Sequence, residues 1–291
     1  MLGLELLDDA ARAVAVDDQG HVVARELVDS GEGLAAAAQA ALAKITPTSG
    51  AMSGSLGVAA FNPEAPGLEG IVAGFGGYAG PLLPTGVAAA VAEAWVGAAR
   101  GVQNVAYFAV TDHAAGGIIR DGAPMRGAHG RAVSVAWLAL NPVEREDYRK
   151  MGCLEAEVAA AGIVRRLVWR VKAGDHSRVL EVVDNDFGRL TAEHVLTAAR
   201  EGDGVSISVI RDTAKYLGMA AANLVLFADP EMLVLGGIIA ESADLLLEPV
   251  RAEIARRLPR AMMEALAIAP ATLGADAAAI GAARHASPAF R

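Results

Sequence analysis

The segment from Ser206 to Ala228 limits the folds open to this chain more than any other. Ile210, Ala214, Leu217, Ala221, Leu224 and Ala228 recur at alternating spacings of four and three. That spacing draws one continuous apolar stripe along a helix, and a stripe of that length must be covered. The residues that follow supply cover: MLVLGGI (232–238) reads as a buried strand, Ala243 to Leu258 as an amphipathic helix, and LAIAPATLG (266–274) as a last strand. Helices and strands in alternation argue for the α/β class.

The first thirty residues read differently. LGLELL (2–7), RAVAVD (12–17) and HVVAREL (21–27) are short apolar runs separated by polar turns, which predicts a β-meander. The pattern then predicts a helix from Gly33 to Ile45 ended by Thr46-Pro47-Thr48, a strand over 55–61, a helix from Val87 to Arg100 and a strand over 105–110. It predicts a strand and turn over 116–124, another strand over 131–140, and a helix from Leu154 to Val171 with Arg165, Arg166 and Arg170 on one side. Thr191 reads as the N-cap of a helix reaching Arg200, supported by Glu193. No repeat at solenoid periods and no low-complexity linker interrupts the chain.

Composition narrows the class of partner. Of 291 residues, 54% are hydrophobic and 20% charged, which excludes a disordered chain. The length is one at which single cores split in two. Aromatics reach only 4% while glycine numbers 32, which suits close helix–sheet packing. Lys and Arg total 25 against 34 Asp and Glu, a net charge of −9 with no basic run, so nucleic acid is not an expected partner. The single cysteine, Cys153, allows no internal disulfide and fits a reducing compartment. Met1 to Val16 carries Glu5, Asp8 and Asp9 where a secretory leader would be basic and then apolar, so a cytoplasmic protein is expected. The uncharged stretch from Gly70 to Ala92 is broken by six glycines and by Pro81 and Pro84. It reads as a glycine-rich loop leading into a helix, not as a membrane span.

Several segments together resemble the ROK family of sugar kinases, related repressors and uncharacterised reading frames. They are LTAEHVLTAAREGD (190–203), the run from DTAKYLGMAAANLVLFADPEMLVLGGIIAESADLL to EPVRAEI (212–254), and LGADAAAIGAARHA (273–286). AEAWVGAARGVQNVAYFAV (92–110), GGIIRDGAPMRGAHG (116–130) and GCLEA (152–156) agree in order. The resemblance implies an actin-like, ribonuclease-H-like α/β fold of two domains, 1–113 and 114–291, with the last helix returning to the first. Sugar and Mg-ATP would meet in the cleft between them, where an Asp takes the proton from a sugar hydroxyl and backbone amides hold phosphate. It also implies a homodimer. A strand pattern that starts at Leu2, with the acidic balance, sets DNA binding aside.

The same resemblance predicts that the chemistry is gone. The family's first phosphate loop, Asp-x-Gly-Gly-Thr-Lys, corresponds to Glu5, Leu6, Leu7, Asp8, Asp9 and Ala10. Its acidic start survives as Glu5, but Asp8 and Asp9 replace residues whose amides approach phosphate, and read as a polar turn. Each such carboxylate repels phosphate by roughly 3 kcal/mol at about 5 Å. Thr85, a candidate helix N-cap, falls where the catalytic Asp should be, and a hydroxyl cannot act as that base near neutral pH. The second phosphate loop corresponds to 111–117, of which Gly116 and Gly117 remain as nucleotide-side candidates. Asp112 and His113 between them read as a polar turn. Ser134 and Trp137 stand for the sugar-binding Glu and the zinc-binding His, and Trp137 is expected to fill space by hydrophobic contact. Glu146, Tyr148 and Cys153 stand for three zinc cysteines, so one thiolate of a four-ligand set remains and no zinc is expected. Cys153 then reads as a small buried hydrophobe. Glu155 is kept where the family contacts sugar, although a Glu beginning a helix also answers the helix dipole. Ser134 and His129 are further sugar-side candidates, His129 reading equally as surface loop. Gly236 and Gly237 are nucleotide-side candidates that serve packing equally well. Two functions follow as expectations: a non-catalytic binder of a small polar ligand or a protein partner, or a diverged ATP-dependent hexose kinase.

Overall fold

The computed structural model describes residues 1–31, 33–49, 55–75 and 80–290. It contains two five-stranded mixed sheets. The first is built from β1 (Leu2–Leu6), β2 (Ala10–Val16), β3 (Val22–Asp29), β4 (Leu56–Ala60) and β5 (Leu83–Pro84), in the order β3-β2-β1-β4-β5. The second is built from β6 (Val105–Val110), β7 (Ala114–Arg120), β8 (Ala123–Pro124), β9 (Met232–Gly237) and β10 (Ala267–Pro270), in the order β8-β7-β6-β9-β10. Both sheets follow one plan. Three antiparallel strands come first, and two more add in parallel beside the first of them. The expected meander is β1 to β3. Strand β6 pairs with β7 and β9, so the second sheet takes over between Pro84 and Val105 and the division expected at 113 falls within its first hairpin.

Small residues hold the halves together. The helix Ala277–Ala286 lies against the first sheet so closely that a Cβ on Gly3 would sit 1.8 Å from the Ala279 carbonyl oxygen. A Cβ on Gly57 would sit 1.8 Å from the Ala282 carbonyl oxygen. The other side of the same helix meets the helix Thr85–Trp95, where a Cβ on Gly281 would come within 1.7 Å of the Ala88 oxygen. The glycine and alanine excess is therefore spent on backbone-to-backbone contact. The largest core surrounds the helix Gly204–Ala228, whose stripe Ile210, Ala214, Leu217, Ala221 and Leu224 is buried as expected. No helix among the described residues is long and apolar enough to cross a membrane.

Four local expectations need correction. The first helix runs Leu34–Ser49, through Pro47 rather than ending before it. Residues 131–140 form no strand: Val133 has φ +67, the Val135 amide donates to the Val133 carbonyl at 2.7 Å around Ser134, and a 3-10 turn follows over Val135–Trp137. The three-residue turn at Ser134 is an inverse γ-turn, which ends an extended run. The helix expected from Leu154 is two helices, Cys153–Val158 and Ala160–Lys172, broken at Ala159. The break frees carbonyls that the arginines take up: Arg166 Nη2 donates to Glu157 O at 2.9 Å and Arg165 Nη2 to Ala156 O. Part of the expected glycine-rich loop forms the helix Leu68–Ala73, and its residues 76–79 lie outside the described residues.

Candidate functional site

A cleft of about 910 Å³ opens between the two sheets, walled by Asp8 and Phe61 on the side of the first, by His113 and Gly116 on the side of the second, and by Glu155 from the helix Cys153–Val158. Its position follows from the strand plan, because the β1–β2 and β6–β7 turns lie at corresponding ends of the two sheets. Leu7 N bonds Ala10 O at 2.9 Å, closing a tight turn that leaves the Asp8 side chain 75% exposed.

His113 joins the walls. Its Nε2 meets Asp8 Oδ2 at 2.8 Å and its Nδ1 meets Glu155 Oε1 at 3.2 Å. The ring stacks on Phe61, which directly follows β4, with centroids 3.9 Å apart and planes inclined by 11°. Glu155 is buried, and its second oxygen accepts from Ala114 N at 3.0 Å, which fixes the carboxylate against the β6–β7 turn. The hydrogen bond to Glu155 raises the His113 pKa to about 9; burial opposes the rise and the bond to Asp8 adds to it. His113 is therefore an imidazolium at neutral pH, held between a buried and an exposed carboxylate. The polar-turn reading of His113 was incomplete, and the Asp8 charge is not free to repel but is paired.

The other candidates divide between this cleft and the packing behind it. Glu155, Ser134, His129 and Gly116 line the cleft. Ser134 Oγ donates to Arg131 O at 2.7 Å, and His129 is exposed on the rim. Glu5 lies behind the floor, buried and paired with Arg12 at 2.8 Å; burial raises its pKa, and Arg12 partly offsets this. Thr85 is the first residue of its helix and Pro84 the N-cap, so the hydroxyl caps nothing. Thr85 Oγ1 is buried beside Glu5, near enough to help lower that carboxyl's pKa, yet it makes no hydrogen bond of ordinary geometry.

Gly116 and Gly117 lie under the start of the same helix, where a Cβ on Gly117 would meet Gly86 O at 2.3 Å and one on Gly116 would meet Val135 Cγ1 at 2.7 Å. A Cβ on Gly236 would meet the Tyr107 hydroxyl at 2.6 Å, and one on Gly237 the Val110 oxygen at 2.0 Å. At all four positions a side chain would collide with its neighbours, and Gly116 also lines the cleft. Cys153 is buried among Tyr148, Ala156 and Leu140, and Glu146 pairs with Lys150 at the surface. Tyr148 donates to Glu157, which also takes Arg166 at 2.7 Å and Arg145 at 3.2 Å. Trp137 does not fill the space as expected. It is 57% exposed and stands on the cleft wall, because the 3-10 turn buries Val135 and Ala136 instead.

Residues 86–288 match the ROK family. The chain belongs to the ROK family. A glucokinase from Halalkalibacterium halodurans is 34% identical over 197 residues, 66% of this chain but only 59% of the relative. The ROK family glucokinase from Streptomyces griseus, crystallised with glucose and AMPPNP, superposes with a TM-score of 0.82 at 24% identity, covering 98% of each chain. A ROK family transcriptional regulator, a homologue of the E. coli MLC protein, superposes with a TM-score of 0.81 at 20% identity, covering 97% of this chain and 76% of that one. The two sheets and the cleft are thus the actin-like fold of the ROK sugar kinases. Within that fold, His113 and Trp137 stand in the cleft rather than in the polar turn and packed interior expected of them, and Phe61 carried no signal of its own. The available signal for His113 was its place within 111–117, the stretch matched to the second phosphate loop.

Proposed function

We propose that this chain is a ROK-family sugar-kinase homologue that has given up phosphoryl transfer and binds a small polar ligand in its cleft. One observation carries the reading. The position matching the family's base holds Thr85, a buried hydroxyl that makes no hydrogen bond of ordinary geometry, and the neighbouring Glu5 faces Arg12 behind the cleft floor. A hydroxyl so placed does not take a proton from a sugar near neutral pH.

The residues present do not fit the family's two accessory groups. A phosphate loop works through amides left open by glycine, whereas of residues 111–117 only Gly116 and Gly117 are glycine, and both lie within strand β7 rather than in the turn. A structural zinc needs four ligands, whereas Cys153 sits beside Tyr148, which is committed to Glu157. A homodimer without nucleic-acid or membrane partners belongs to the same proposal, on the strength of the family.

The test is a coupled assay of glucose-dependent ADP release from Mg-ATP, with calorimetry of glucose binding to the same protein. The expected result is glucose binding without turnover. The second reading, a diverged hexose kinase, rests on the 34% identity to a glucokinase. Turnover above the rate without glucose would establish it and end the first.

A further inference from the structure

The side chain on the exposed face of His113 is the one least bound to its place. Asp8 sits on a two-residue turn with its carboxylate 75% exposed, and its bond to His113 Nε2 is the only side-chain bond it makes among the described residues. The rest of the His113 setting is built. Glu155, 5% exposed at its side chain, fixes Nδ1, and Phe61 stacks against the ring. If the Asp8 carboxylate turns out to solvent, the ring keeps its orientation and offers Nε2–H to the cleft.

The remaining charges on the cleft wall are mostly answered. Arg131 is paired with Glu64 at 2.7 Å, and Lys150 with Glu146 at 2.7 Å. Arg126 enters no ion pair among the described residues, and His129, three residues further on, is exposed on the same wall. With Asp8 displaced, the cleft therefore presents an imidazolium and a guanidinium that is unpaired among the described residues to one space. Both are donors that suit a carboxylate or phosphate oxygen.

We propose that the Asp8 carboxylate is a self-supplied stand-in for an anionic ligand, and that the cleft takes a small oxyanion-bearing molecule on His113 when Asp8 leaves. This deepens the ligand-binding reading above and rests on it. The turn acts as an autoinhibitory plug, because every anion that binds must first displace a tethered one whose effective concentration is high.

The experiment compares wild type, Asp8→Asn and His113→Gln. Each is titrated calorimetrically with inorganic phosphate, gluconate and glucose. The His113 ring Cε1–H resonance is followed by NMR in the first two proteins. Asp8→Asn keeps the size of an exposed turn residue, so its folding is not at issue. The expected result is that Asp8→Asn binds phosphate or gluconate at least fivefold more tightly than wild type, with a shift of the His113 resonance, while His113→Gln loses that binding. Tightening for phosphate alone identifies a phosphorylated ligand, and tightening for gluconate alone a sugar acid. Glucose that binds no variant would end the sugar reading and leave the anion site standing. Affinities for both anions unchanged within twofold by Asp8→Asn, or an unmoved His113 resonance at saturation, would overturn the proposal.

Discussion

His113 shows how one residue can be legible in type and illegible in role. Its imidazole was visible in the sequence, but its partners lie 105 residues before it and 42 after it. No local pattern encodes contacts at that range, and next to Asp112 the residue reads as part of a polar turn. The buried Glu155 was legible for the opposite reason, since GCLEA carries a family's wording. The bridge has a pH consequence. The His113 pKa rises from 6.5 to about 9, chiefly through the Glu155 hydrogen bond, then against burial and with help from Asp8. Between those values the folded state holds a proton that the unfolded chain has released, so stability falls as pH rises. The contribution is whole below about pH 6.5 and gone above about pH 9. The groups facing the ring are Asp8 from the β1–β2 turn, Phe61 after β4 and Glu155 from its helix. We expect the stability gap between wild type and His113→Gln, read from urea unfolding, to shrink by on the order of 2 kcal/mol from pH 6 to pH 10. A gap that is flat with pH would show that the ring is neutral throughout.

At the scale of elements, what could be read was what is periodic. The meander shows as short apolar runs set between polar turns, and the helix Gly204–Ala228 keeps its stripe along its length, so both were legible without knowledge of their neighbours. Segments whose shape depends on a distant neighbour were not. Residues 131–140 alternate like a strand but turn at Ser134, and the helix expected from Leu154 breaks at Ala159, where Ala160 N bonds Thr111 O at 3.3 Å. Glycines divide the same way, since sequence cannot say which of 32 are pressed against backbone. Two of them make a test. In β4, a Cβ on Gly57 would lie 1.8 Å from a backbone oxygen of the helix Ala277–Ala286, which has no flexible end to move aside. On the helix Leu68–Ala73, a Cβ on Gly70 would meet nothing within 4 Å among the described residues. Gly57→Ala should therefore cost about 3 kcal/mol or more, because the sheet and helix must separate. Gly70→Ala should gain about 0.5 to 1 kcal/mol by restricting the unfolded chain and favouring the helix. Urea midpoints of the two variants should move in opposite directions; a shift of the same sign in both would show that the last helix does not lie on β4 this closely.

The whole molecule repeats one strand plan twice, and the cleft exists because the two copies present corresponding turns to each other. Pairing order is a long-range property, which is why the duplication left no repeat that could be read along the chain. On the proposed non-catalytic reading, restoring a single group should not restore phosphoryl transfer. A working site would need a base from the helix that starts at Thr85 and phosphate-holding amides from the β1–β2 and β6–β7 turns. Those turns are joined instead by Asp8 and His113. Thr85→Asp supplies only the first requirement, and supplies it badly. The new carboxyl would stand beside Glu5, whose pKa burial already raises. Two carboxyls in one desolvated place cannot both ionise easily, so one of them stays protonated near neutral pH. A protonated acid takes no proton from a sugar, and a base with no bound phosphoryl donor has nothing to assist. Thr85→Asp should therefore show no glucose-dependent ADP release from Mg-ATP, and calorimetry should give it the same affinity for Mg-ATP as wild type. Sugar phosphorylation by Thr85→Asp alone would mean that the turns already hold a nucleotide, that the Asp8–His113 bridge opens without difficulty, and that the missing carboxylate was the one obstacle to catalysis.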